Sequence, residues 1–421
     1  GRERFVYEDP RYFGRMTQAL HTRPFNAAVL AAGLGFFVDA FDLFLFNVYR
    51  IPSLTELGLS GDALRVEGER LLAWQMAGMM LGGILTGVVG DRRGRVAVLF
   101  GSILLYSLAN IANAFVHDVE AYAVIRFLAG LGLAGELGAG ITLVAESMTV
   151  ERRGYGTILV ATLGALGAVS AGLVANILPW RTAFIGAGGA GLLLLLFRMR
   201  NMETAMFRKA QGSGARRGSF GHLFADRGRA LRYLACIAMG VPIWYSVGLL
   251  ITLSPEIARD HGVTGWQLPW AFTLFQVGIT AGDLGTGIVS QRWRTRRRVI
   301  MAGMMLAMLA TAVWLIAFAQ GIGSYAACFA MGLGCGYLSV FATATAEHFG
   351  TNLRVLVAAT VTNFMRGSVT LLIPFHQGVE RLMGWSTTQG LLFTGALVWA
   401  LAVLSAWWLP ETYGRDLDHT E

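Results

Sequence analysis

Long, nearly uncharged apolar runs separated by short polar segments fill most of the chain. A helix needs roughly 20 consecutive apolar residues to cross a bilayer, and runs of that length recur from one end to the other. They are apolar on every face, not along a single stripe, as expected of helices bathed in lipid or buried in a bundle. Twelve spans are predicted, at about 25–48, 70–90, 96–116, 120–146, 154–178, 180–199, 230–254, 266–290, 298–318, 323–348, 355–378 and 387–409. The pattern predicts an all-α polytopic membrane protein.

Loop charge orients these spans. The 34 positive residues are 33 arginines and Lys209. If both termini and every loop from an even span to an odd one lie on one side, that side holds 26 of them; the other holds six, and Arg126 and Arg366 lie within spans. Positive residues collect on the cytoplasmic side, so both termini are expected there. Residues 1–24 carry five arginines, too polar for a signal peptide, and are expected to lie along the inner membrane surface. Residues 200–229, with the run GSGARRGS, form a polar linker. The expected domains are therefore a cytoplasmic segment at 1–24, a six-helix bundle at 25–199, the linker at 200–229, a second six-helix bundle at 230–409 and a cytoplasmic tail at 410–421.

Composition agrees. Hydrophobic residues make up 55% of the 421 and charged residues 14%, against about 25% charged in soluble proteins. The formal charge of +8 sits in the loops, which points to membrane topology and not to nucleic acid. Cys236, Cys328 and Cys335 all lie in apolar runs and offer neither a disulfide framework nor metal-ligand spacing. Zinc, nucleophile-elbow and P-loop motifs are absent, so no metal, no cofactor and no enzymatic activity are expected. Gly130-x-Gly132-x-x-Gly135 fits a dinucleotide fingerprint in form alone. That chemistry requires a strand before the glycines, whereas these lie inside a span, where small residues let helices approach closely.

The two halves carry matching marks. Glu146 and Arg153 at the cytoplasmic end of span 4 reappear 201 positions later as Glu347 and Arg354 at the end of span 10. GVVGDRRGR at 87–95, between spans 2 and 3, corresponds to GIVSQRWRTRRR at 287–298, between spans 8 and 9. Parallel repeats of this kind build many transporters.

These residues resemble the major facilitator superfamily. Gly87-x-x-x-Asp91-Arg92-x-Gly94-Arg95 is similar to its signature loop. The glutamate–arginine marks and Pro410-Glu411-Thr412-x-Gly414-x-x-Leu417-Asp418 resemble its sugar-porter-like branch, with a weakened copy at Met202-Glu203-Thr204. The resemblance implies twelve transmembrane helices in two six-helix halves and a chain that works as a monomer. Its loop charges can make bidentate pairs that latch the halves on the cytoplasmic side. Candidate gate residues are Gly87, Asp91, Arg92, Gly94, Arg95, Glu146, Arg153, Asp283, Arg292, Arg296, Glu347, Arg354 and Glu411, with Asp283 expected beside Arg292 and Arg296.

Ionisable groups within spans are costly and mark function by default. Span 1 holds Asp39 and Asp42, span 4 holds Arg126 and Glu136, and span 11 holds Arg366. Helix rise places Asp42 and Arg126 together in the outer half of the membrane and Glu136 near its middle, about 15 Å deeper than Arg126. A carboxylate beside an arginine stays ionised; one whose arginine is engaged elsewhere takes a proton. Asp39, Asp42, Arg126 and Glu136 are therefore the proton-coupling candidates. Phe41-Asp42 facing Arg126 also resembles proton-linked sugar porters. Asp39-x-x-Asp42 resembles the first helix of phosphate:proton symporters and, more loosely, of aromatic-acid symporters. Ala134-Gly135-Glu136 resembles a segment of phosphate and metabolite:proton symporters.

Glu136, Arg366, Trp244 and Tyr245 are the candidate substrate contacts. An Arg366 guanidinium facing a cavity favours an anion; one paired with a carboxylate only ties helices together. The two aromatics either line the cavity or pack. Glu67 and Glu69, at the outer start of span 2, are expected to be solvated. Span 7 lacks the Gln-Leu-Ser of hexose carriers, and span 5 lacks the glycine–proline element of drug:proton antiporters. The expectation is a secondary transporter in a bacterial inner membrane, taking up a small polar solute, an organic or inorganic anion, with protons by alternating access. A carrier of organic cations or amphiphiles, a facilitator, an exporter and a non-transporting sensor are the alternatives.

Overall fold

A computed structural model describes residues 27–93, 95–135, 153–202 and 220–414, and the described residues form helices joined by short connections. In chain order these are α1 (Ala27–Glu56), α2 (Gly61–Arg93), α3 (Arg95–Asn113), α4 (Val119–Leu133), α5 (Arg153–Val174), α6 (Trp180–Met202), α7 (Phe220–Phe224), α8 (Arg227–Tyr245), α9 (Ser254–Asp260), α10 (Leu268–Trp293), α11 (Arg297–Ala319), α12 (Tyr325–Cys335), α13 (Leu338–Glu347), α14 (Thr351–Gly367), α15 (Val369–Met383) and α16 (Thr387–Trp408). Among the described residues, eight helical stretches are long and apolar enough to cross a membrane, and two shorter apolar helices, Ala97–Asn113 and Leu159–Val174, accompany them. Large apolar side chains such as Leu193, Ile288, Leu309 and Trp407 point outward. That is the surface a bilayer solvates.

Polar caps set where helices begin. Asp118 accepts a bond from the Ala121 N–H at 2.7 Å to start α4, Asp226 accepts one from the Arg229 N–H at 2.8 Å to start α8, and Ser386 and Gln389 form a capping box on α16. Two helices run longer than the hydrophobic pattern alone indicates. α1 continues to Glu56, and α2 starts at Gly61, well before the predicted apolar run. Both extensions carry charged residues that bond to other helices, so tertiary pairing holds what hydropathy would have ended. α8 contains Pro242 and passes into a π-helical segment, Ser246–Ile251. Such a segment inside a helix widens the turn and is frequent at functional sites.

Glycines set the tightest packing. A Cβ on Gly130 would sit 1.9 Å from the Gln75 carbonyl oxygen, and one on Gly78 would sit 2.1 Å from that of Phe127, so α2 and α4 touch backbone to backbone. Some 200 positions later the arrangement recurs: Gly278 and Gly332 place α10 and α12 against the carbonyls of Phe329 and Phe275. Gly132 meets the backbone of α3 at Tyr106, and Gly334 that of α11 at Ala307. The three glycines of the apparent dinucleotide fingerprint are thus helix-packing residues. Gly130→Ala is expected to destabilise the protein by about 1–3 kcal/mol, since backbone cannot yield as a side-chain tip can. A thermal-unfolding scan in detergent checks this, with Gly101→Ala, in open space, as the control.

Candidate functional site

Four charges predicted inside spans are buried. Asp39 is 1% exposed, Asp42 and Arg126 0%, and Arg366 6%. Asp42 on α1 and Arg126 on α4 feel each other's charge, yet both Asp42 oxygens are without a hydrogen-bond partner among the described residues. Arg126 is held elsewhere. Its Nη2 donates to Asn110 Oδ1 at 2.8 Å, and its guanidinium lies over the rings of Phe184 and Phe46, at 4.8 and 5.9 Å. Asn110 on α3 also neighbours Asp42. The structure therefore brings the predicted pair together without closing a direct ion pair, and an amide stands beside both. Asn110 was not legible as a participant, because an asparagine in an apolar run has no motif to announce it.

Across the bundle, Arg366 on α14 feels the charge of Asp39 on α1. Its guanidinium lies 5.4 Å from the centre of the Trp244 ring, and its Nε and Nη1 have no hydrogen-bond partner among the described residues. Trp244 stacks on Phe44 of α1 with ring centres 5.6 Å apart, and Phe44 meets Phe272 of α10 at 5.3 Å. Gln75 on α2 donates to the Leu43 carbonyl at 3.1 Å and keeps its own oxygen unpartnered. Guanidinium, stacked aromatics and amide come from α1, α2, α8, α10 and α14. Tyr245 points elsewhere: its hydroxyl donates to the Leu391 carbonyl on α16 at 2.6 Å, and its ring abuts Gly395. Of the two candidate aromatics, Trp244 lies at the guanidinium and Tyr245 packs. Phe44 and Phe272 were missed because one aromatic among many in apolar spans carries no distinguishing signal.

The charges on the two ends of the bundle are arranged differently from expectation. At the end that holds the tail, Arg296 pairs with Glu347 at 3.3 Å and lies over the Tyr413 ring, while the Thr412 hydroxyl donates to Glu347 at 2.7 Å. Glu411 accepts bonds from the Thr295 hydroxyl and from the backbone N–H groups of Arg296, Arg297 and Tyr413. Partial burial works to raise its pKa, but those donors win and hold the carboxyl down to about 2. It is ionised at any physiological pH, so the tail's tie to the start of α11 does not switch off with pH. Asp283 does not sit on an arginine. It accepts from the Ser339 N–H at 2.6 Å and from the Ser339 hydroxyl, bracing the start of α13, and Arg292 is exposed. Arg354 donates to the carbonyls of Ala346 and Phe349. Gly94, Glu136 and Glu146 fall outside the described residues, as do the side chains of Asp91, Arg92, Arg95 and Arg153 and the surroundings of Gly87.

The opposite end holds what sequence reasoning missed. Arg50 on α1 reaches Glu256 on α9 at 2.6 and 2.8 Å and the Thr252 carbonyl at 3.0 Å, with Asn47 donating to the Thr252 hydroxyl at 2.8 Å. Glu69, expected to be solvated, is 2% exposed. It is bonded to Arg65 at 3.0 Å, to His376 at 2.8 Å and to Gln377 at 2.7 Å. The reason is tertiary. α2 and α15 meet here, and the charges face a partner helix instead of water.

The chain is 25% identical to the gentisate transporter of Corynebacterium glutamicum, over 92% of this chain and 88% of that one. It is 28% identical to the 4-hydroxybenzoate transporter PcaK of Pseudomonas putida, over 56% and 61% of the two chains. The fold matches the crystal structure of a D-xylose-proton symporter with a TM-score of 0.67, covering 93% of this chain and 99% of that one at 15% identity. Residues 32–374 match the Major Facilitator Superfamily profile. The protein is an integral membrane transporter of small molecules and not an enzyme, and it belongs to the Major Facilitator Superfamily.

Proposed function

We propose that the chain carries a small aromatic carboxylate inward together with protons, by alternating access between two six-helix halves. The observation that carries this reading is the Arg366 guanidinium, buried against Trp244 with two of its nitrogens, Nε and Nη1, unpartnered among the described residues. A planar fork matches a carboxylate, and the Trp244–Phe44–Phe272 stack beside it offers flat faces for a ring. The gentisate and 4-hydroxybenzoate named for two relatives are molecules of that kind. Asp42 is the proton carrier: it takes a proton while Asn110 and the aromatic rings hold Arg126, and loses it when Arg126 swings toward it. Asp39 balances Arg366 when no solute is bound.

The reading includes twelve spans, termini in the cytoplasm, halves at 25–199 and 230–409 and a working monomer in a bacterial inner membrane. The end bearing Arg50 and His376 then faces outward. The cluster of Arg296, Glu347 and Glu411 belongs to the cytoplasmic gate, with the signature loop at 87–95 and Glu146–Arg153 as its counterpart in the first half.

The test is a pH-sensitive dye trapped in proteoliposomes. Gentisate or 4-hydroxybenzoate added outside is expected to acidify the lumen, while phosphate, hexoses and quaternary amines leave it unchanged. A response confined to amines or sugars would overturn the substrate class. Solute entry with no pH change would overturn proton coupling, and binding without entry would favour a sensor.

A further inference from the structure

His376 presents a proton count that its geometry decides. Its Nε2 lies 2.8 Å from a Glu69 oxygen and its Nδ1 lies 3.1 Å from a Glu380 oxygen. A neutral imidazole has one N–H, and an ionised carboxylate can only accept. Two ring nitrogens cannot both bond to ionised carboxylates unless both carry hydrogen. Either the ring is imidazolium or one glutamate is protonated; both cases hold one exchangeable proton beyond the neutral ring. Arg65 supplies the remaining charge, bonding to Glu69 at 3.0 Å and to Glu380 at 3.2 Å. With the proton, Arg65, His376, Glu69 and Glu380 sum to zero. Without it, the buried cluster keeps a net negative charge, which the membrane interior penalises.

We propose that Glu69, His376 and Glu380 form a second proton-binding site, occupied while α2 and α15 are closed on each other and emptied when they part. Two members stand on α15 and one, with Arg65, on α2, so separating the helices breaks the Glu69 contact and leaves His376 with one carboxylate and with water. The Nε2–H bond then breaks, its proton passes to external water and the ring becomes neutral. Reclosing takes a proton back from the same side. The proton gates without crossing the membrane, which distinguishes it from the one carried by Asp42. Among the described residues, the charged groups bonded to this cluster are Arg65 and Glu69 from α2 and Glu380 from α15. Asp62, exposed, lies behind Arg65 at 2.9 Å. From α16 the glutamate meets Gly390, which brings no charge. Arg50–Glu256 is a separate ion pair between α1 and α9.

The linkage has a definite sign. The closed state binds the proton more tightly than the open one, so acid favours closure. The test places spin labels at Ala63→Cys and Leu382→Cys, exposed on α2 and α15, in the full chain in nanodiscs. Asp42→Asn is added so that the carrier carboxylate contributes nothing. Double electron–electron resonance is expected to show the closed-to-open ratio falling at least tenfold between pH 5.5 and 8.5. His376→Gln and Glu69→Gln should each flatten that dependence. A flat ratio with the cluster intact overturns the proposal without any cluster variant having to fold. PH dependence that survives both substitutions overturns it equally. The result does not depend on which solute is carried, so it stands or falls apart from the aromatic-acid reading.

Discussion

Arg366→Gln is expected to weaken binding of an aromatic carboxylate about a hundredfold. Removing one partner of a buried charge-assisted pair costs roughly 2–5 kcal/mol, and each 1.4 kcal/mol is a factor of ten. Glutamine keeps the length and some hydrogen-bonding capacity but neither the charge nor the fork. Arg366→Lys separates the two contributions: it restores charge, and its point-like ammonium cannot grip both carboxylate oxygens or lie flat on Trp244, so affinity should recover only in part. Equilibrium binding to purified protein is the measurement, since transport would mix affinity with turnover. Unchanged affinity in Arg366→Gln would mean that the guanidinium only ties α14 to Asp39 on α1, and the anion reading would fall. Because Asp39 would then lack its counter-charge, Asp39→Asn/Arg366→Gln is the companion variant. It removes both charges, so loss of binding there cannot be blamed on an uncompensated buried carboxylate.

What the sequence made legible follows from which forces act locally. Apolar runs report burial in lipid directly, and the repeated Glu–x6–Arg marks and loop arginines stand out against uncharged surroundings. Asp39, Asp42, Arg126 and Arg366 were readable for the same reason: a charge in an apolar run is conspicuous wherever the helix ends up. Helix rise is fixed, so the expected meeting of Asp42 with Arg126 could be read from their positions along α1 and α4, and the two do lie near each other. What rotation and tilt decide was not readable. Trp244 and Tyr245 are adjacent in sequence and about 100° apart around a helix; one meets Arg366 and the other Leu391. Asp283 was assigned by sequence distance to arginines, but α10 turns it to Ser339. Glu69 shows the largest gap. Near a predicted span end, a glutamate followed by Arg70 looks solvated, and only the approach of α15, some 300 residues later, reveals that it is buried. Long-range packing of polar residues leaves no periodic trace.

Asp42→Asn is expected to abolish accumulation driven by a proton gradient while leaving exchange of solute for solute intact. Asparagine imitates the protonated carboxyl in size and in being neutral, so the variant resembles a carrier with its proton permanently bound. Such a carrier can still present the Arg366 site to either side and swap one solute molecule for another. What it cannot do is lose the proton inside, and without that step the gradient has nothing to act on. With one proton per solute, a gradient of one pH unit amounts to 1.36 kcal/mol, or tenfold accumulation. Wild-type proteoliposomes should approach that ratio for the carried solute, and Asp42→Asn should remain near one. Counterflow of labelled solute into preloaded vesicles, measured at one fixed pH, should proceed at a rate within a few-fold of wild type. Gradient-driven accumulation that survived in Asp42→Asn would move the coupling role to Asp39 or Glu136. Failure of counterflow as well would show that the carboxylate is needed for the conformational change itself, as a structural partner of Arg126 and Asn110.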